Sequence, residues 1–160
     1  MDNIRLNELE QVEEPFLRQL EGLGWRILRG DKYDPASTER ESFSEVIIES
    51  ELRAGLKQIN PFLEDDQISE LVHRIQSPQS NHLLKANQEI LELLLEGVSV
   101  SENRQTREVS PTIRYVDFNY LANNRLLAVS QFKVNVPGTQ KHIIPDVVLF
   151  VNGLPLVVVE

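Results

Sequence analysis

Cysteine is absent from these 160 residues. Its absence excludes disulfides, thiolate nucleophiles and Cys-ligated zinc or iron–sulfur centres, and leaves oxygen and imidazole as the metal donors. Imidazole is scarce too. His73, His82 and His142 stand far apart, in neither an H-x-x-x-H nor an H-E-x-x-H pattern, and read as ordinary surface or core residues. No G-x-x-x-x-G-K-[ST] stretch occurs, so these residues hold no P-loop for nucleotide. No apolar run approaches the roughly 20 residues of a membrane span, and the opening MDNIRLNELEQ lacks the basic-then-apolar pattern of a secretory leader. The expectation is a cytoplasmic chain with no membrane partner. Positive charge is short as well: 16 Lys and Arg against 25 Asp and Glu leave a net −9. Neutralising phosphates supplies most non-specific affinity for nucleic acid, so the chain alone should bind DNA poorly. Acting on DNA would need metal ions that bridge its carboxylates to phosphate, or another domain or subunit that holds the duplex.

What is present is ordinary globular material, 41% hydrophobic and 26% charged, enough for one domain with a real core. Residues 7–22 place Leu9, Val12, Phe16, Leu17 and Leu20 at helical spacing, with Pro15 bending the helix or marking a late start and Gly22 and Gly24 ending it. Trp25, Ile27 and Leu28 read as a short strand, followed by a polar loop from Gly30 to Arg40. Three helical stretches follow, over 42–59, about 64–75 and about 81–96, each stopped by Pro or Gly signals. They predict a helical insertion over 42–96 with no catalytic signature. From Val98 the period becomes strand-like, and 113–120 and 125–134 predict a first hairpin turning at Asn123-Asn124. The order helix, strand, helical insertion, several strands predicts an α/β or α+β chain with a mixed central sheet flanked by helices.

The last 18 residues, IIPDVVLFVNGLPLVVVE, predict a second hairpin. Asn152-Gly153 readily supplies two positive φ angles for a tight turn, and the flanking runs 147–151 and 154–159 read as buried on both faces. Asp146 and Glu160 then sit at the same end, far from the turn, where charge is costly. Asp146 alone reads as a chain-turning residue after Pro145, and Glu160 alone as a solvated charge. Together they can converge on one divalent cation with oxygen ligands. A strict two-residue loop would pair Asp146 with Val159 and turn Glu160 to the opposite face. Convergence requires one extra residue, so a bulge or three-residue loop is predicted beside Pro155.

The stretch from Pro145-Asp146 through VNGLPL to Glu160 resembles the catalytic hairpin of the R (restriction and motor) subunit of type I restriction enzymes. The likeness extends to 13–20 leading into Gly24-Trp25, to NQEILELLLEG at 87–97, and to Asp117-Phe118 before Gln131-Phe132, and so covers nearly the whole chain. It implies a single nuclease-like domain over 1–160 with a restriction-endonuclease-like fold of the PD-(D/E)xK superfamily, its site carried by the hairpins of 113–160. It implies metal-dependent phosphodiester hydrolysis of double-stranded DNA in defence against foreign DNA, with Mg²⁺ or Mn²⁺ held by Asp146 and Glu160. Glu13 falls where similar nucleases place a carboxylate near the metal; as an exposed helix charge it would need no such role. ATP would enter through downstream motor domains, and modification (methyltransferase) and specificity subunits would be the partners. The family's Lys, two positions beyond the Glu, is not among these residues, and neither Lys133 nor Lys141 has a positional claim to replace it. The expectation is a fragment inactive by itself. The rival reading is a nuclease-like interaction module that does not catalyse.

Overall fold

The computed structural model describes residues 9–160; the expected helix start at Asn7 and Glu8 lies outside them. The chain divides into two compact units, one formed by residues 1–48 with 126–160 and the other by 49–125.

In the first unit a π-helical turn, Leu9–Glu13, leads into α1, Glu14–Gly22. Pro15 sits in the first turn, where its missing N–H costs nothing, and so marks the late start. Next comes β1, Arg26–Arg29, then a short 3-10 turn, Pro35–Thr38, capped by Asp34, whose side chain accepts the Ala36 N–H. After residue 125 the unit resumes with β4, Leu126–Ser130, and ends in β7, Val147–Val151, and β8, Leu154–Val159. These four strands form one sheet in the order β1-β4-β7-β8. The β1–β4 pair is parallel and the other two antiparallel, so the sheet is mixed, as expected. Between β4 and β7, β5 (Val134–Asn135) and β6 (His142–Ile143) make a small antiparallel ribbon.

Both faces of the sheet are covered. On one, Leu17 and Leu20 of α1 pack on Ala128 and Val147; on the other, Leu127, Val129, Val148 and Phe150 pack with Ile48 and Phe132. The Phe132 and Phe150 rings meet edge to face at 5.1 Å. Each such apolar side chain contributes about 1.5–3 kcal/mol when fully buried. Two covered faces explain why β4 and β7 carry nearly unbroken apolar runs. β8 departs from the expected double burial. It pairs with β7 alone, and Leu156, Val157 and Val158 remain 45–59% exposed.

Residues 42–48 are not helical. The Phe43 carbonyl accepts the Asn135 N–H, the Ile48 N–H donates to the Gly153 carbonyl, and the Glu45 carbonyl accepts from the Arg40 guanidinium. These bonds, two of them long-range, hold the backbone out of a helix despite its apolar spacing. Arg40 is buried, stacks on the Phe132 ring at 3.8 Å and reaches the Lys133 carbonyl at 2.9 Å; burial pulls its pKa down to about 10.

The second unit holds three helices, α2 (Glu49–Ile59), α3 (Asp65–Gln76) and α4 (Leu83–Glu96), and a two-stranded pair of β2 (Val98–Ser99) with β3 (Thr112–Ile113). Gln67 Oε1 accepts the Glu64 N–H at the head of α3. The Tyr115 hydroxyl donates to the Leu71 carbonyl at 2.8 Å, and burial pushes its pKa up to about 12.

The hairpin expected from 113–120 and 125–134 does not form. Strand structure ends at Ile113, and β4 pairs with β1 and β7 instead. Asp117 accepts the Asn119 and Tyr120 N–H groups, while Asn124 accepts the Asp117 N–H and donates to the Asp117 and Leu121 carbonyls. Short polar side chains have taken the backbone partners that a ladder would need. Among the described residues, no helix is long and apolar enough to cross a membrane.

Candidate metal centre

The closing hairpin turns at Asn152 (φ 50°) and Gly153 (φ 75°), both left-handed as a type I′ turn demands. Val151 pairs with Leu154 and Phe150 with Pro155. The ladder then slips: Leu149 pairs with Val157, leaving Leu156 as the extra residue of a β-bulge, and Val148 and Val147 pair with Val158 and Val159. The bulge predicted beside Pro155 is there. Proline offers the ladder no N–H, so the regular pairing loses a bond at this point in any case. One further step in the same register sets Glu160 opposite Asp146, and directly opposed residues have Cβ atoms about 4.5–5.5 Å apart. Both are exposed, so neither bears the burial cost expected for charges in a doubly buried hairpin.

Glu13, at the end of the π-helical turn, approaches from the helix side. It is half-buried, and its Oε2 accepts a hydrogen bond from Gln131 Nε2 at 3.2 Å. Desolvation raises the Glu13 pKa, the Gln131 hydrogen bond opposes that shift, and the negative charges of Asp146 and Glu14 add to it. Glu14 is committed elsewhere, chelating the Arg29 guanidinium at 3.0 and 3.2 Å.

Gln131 is the residue that sequence reasoning missed as part of the site. Its backbone N–H donates to the Asp146 carbonyl at 2.8 Å, directly after Ser130 pairs with Val147. In the sequence it shows as a polar residue after the apolar run of β4 and as part of the Gln131-Phe132 pair in the family likeness, with nothing to assign it to the site. Lys133 is occupied: its ammonium donates to the Lys32 carbonyl at 2.9 Å and lies 4.5 Å from the centre of the Phe43 ring. Lys141 and His142 lie on or beside β6, exposed.

Among the described residues, no three or more His, Cys, Asp or Glu side chains gather into a ready-made metal cage. The donor set offered at the hairpin end is two opposed carboxylates with a third nearby. That fits a hard cation such as Mg²⁺, which binds through one or two carboxylates and keeps several waters.

The fold is α+β, with a mixed sheet that ends in a bulged hairpin. The chain belongs to the family described as type I restriction enzyme R protein N terminus, which matches residues 5–160. It is 32% identical over 157 residues to the type I restriction enzyme HindI endonuclease subunit of Haemophilus influenzae, covering 97% of this chain and 15% of that protein. It is 28% identical over 162 residues to the putative type I restriction enzyme MjaIXP endonuclease subunit of Methanocaldococcus jannaschii, covering 98% of this chain and 15% of that one. The chain thus spans about 15% of the length of these curated relatives.

Proposed function

We propose that these residues are the DNA-cleaving domain of a type I restriction R subunit, hydrolysing phosphodiester bonds of double-stranded DNA with Mg²⁺ or Mn²⁺ held by Asp146 and Glu160. The observation that carries the reading is the bulge at Leu156, which brings the two carboxylates onto one side of the hairpin. A cation there would lower the pKa of a bound water and offset charge developing on the phosphate. The protein's part is to hold the two oxygens in register on strands anchored by Val147, Val148 and Phe150, all buried. The family relationship supports the remainder: ATP-driven motor domains elsewhere in a longer protein, with modification and specificity subunits to select and hold the DNA.

Calorimetric titration of the chain with Mn²⁺, beside Asp146→Ala, tests the metal site. Binding in the parent and its loss in the variant is the expected result. Equal, weak uptake by both would remove the main support and favour a non-catalytic interaction module.

A further inference from the structure

We propose that Gln131 is the positioning residue of this site, its backbone fixing the Asp146 end of β7 and its carboxamide orienting the Glu13 carboxylate toward the waters of a cation bound by Asp146 and Glu160, rather than as a direct ligand. The inference rests on the metal-centre reading above and adds to it how the third carboxylate is recruited.

Gln131 has φ 53°, in the left-handed region that glycine fills most easily and that other residues keep only when their surroundings enforce it. The surroundings do enforce it. The Gly30 N–H donates to the Ser130 carbonyl at 2.8 Å, and a Cβ at position 30 would stand 2.4 Å from the Gln131 carbonyl oxygen, so the residue after β1 grips this peptide as only a glycine allows. On the far side, Phe132 is buried and the Lys133 carbonyl is held by Arg40. The left-handed turn lets one residue serve two partners. Its N–H completes the β4–β7 ladder at Asp146, while its side chain crosses to Glu13 on the preceding helical turn. A glycine would satisfy the backbone but would remove the donor that reaches Glu13. Without that donor nothing described here orients Oε2 of Glu13, and its carboxylate would turn to solvent.

The test is a double-mutant cycle read by Mn²⁺ calorimetry. Gln131→Gly keeps the left-handed backbone and removes the donor. Gln131→Asn, which also tolerates this conformation, shortens the reach by one methylene and serves if the glycine variant folds poorly. Glu13→Gln removes the proposed third carboxylate. We expect each single change to weaken Mn²⁺ binding about tenfold, the scale at which groups orienting a ligand act, and the double variant to be no weaker than Glu13→Gln alone. Losses that multiply, or a Gln131 variant within about twofold of the parent, would overturn the assignment even while Asp146→Ala abolishes binding. Absence of Mn²⁺ binding in the parent chain would overturn the metal-centre reading, and this inference with it.

Discussion

Glu13 sits half-buried, where its ionised form loses hydration and meets the charges of Asp146 and Glu14. Its folded-state pKa therefore lies above the unfolded value near 4.5. A carboxyl group shifted in that direction stabilises the fold fully below its unfolded pKa, and that contribution is lost as pH rises through the folded pKa. Glu13→Gln, neutral at every pH and able to keep a hydrogen bond to Gln131, escapes the loss. Thermal melts in a chelating buffer should show the variant more stable than the parent at pH 7 to 8, with the gap closing toward pH 4. A gap that widens on acidification would mean that hydrogen bonding, not desolvation, governs this carboxylate. In a metal-loaded chain the order should reverse, because a cation beside Asp146 favours the ionised Glu13.

At the scale of elements, the closing hairpin tests whether register or mere composition makes the site. Leu156 is the residue the ladder leaves unpaired, so its deletion should yield a regular hairpin that keeps Val147 against Val159 and Asp146 against Glu160. Insertion of one alanine between Val158 and Val159 adds a residue the single bulge cannot absorb, and sends Glu160 to the opposite face. Mn²⁺ affinity should survive the deletion within about threefold and drop at least about tenfold on the insertion, with both variants retaining a cooperative melt. This hairpin was legible in the sequence because period-two counting has a definite outcome: an even or odd number of residues between two carboxylates decides their side. Other elements were not. IRYVDFNY has the composition of a strand, yet Asp117 and Asn124 fold its backbone into a turn through bonds that no residue count reveals. Residues 42–48 have helical apolar spacing, but their partners, Asn135 and Gly153, lie about a hundred positions away in sequence. Gln131, noted in the sequence only as part of the family likeness, was not assigned to the site for the same reason, since its role depends on a left-handed φ and on Gly30, Glu13 and Asp146 meeting it from three other segments.

At the scale of the molecule, a net charge of −9 must be reconciled with the polyanionic substrate proposed for it. Duplex DNA is bound non-specifically by cations that displace condensed counterions, and an acidic chain repels it until metal ions or other protein surfaces intervene. The stretch from Gln131 to Pro145 is locally free of Asp and Glu and carries Lys133 and Lys141, but Lys133 is engaged with Lys32 and Phe43. Within this stretch that leaves Lys141 as the lysine with no such engagement among the described residues, too little by itself to anchor a duplex. Under the function proposed above, this chain would cleave what other parts of a larger assembly hold; it spans about 15% of its curated relatives' length. Fluorescence anisotropy with a labelled duplex, in chelator and about 150 mM salt, should show no saturation by about 100 µM chain, weaker than the common non-specific range. Micromolar binding under those conditions would require a phosphate-binding surface within these 160 residues. A gain in affinity on adding Mn²⁺, absent in Asp146→Ala, would instead locate the DNA contact at the carboxylates themselves, with the cation as the bridge.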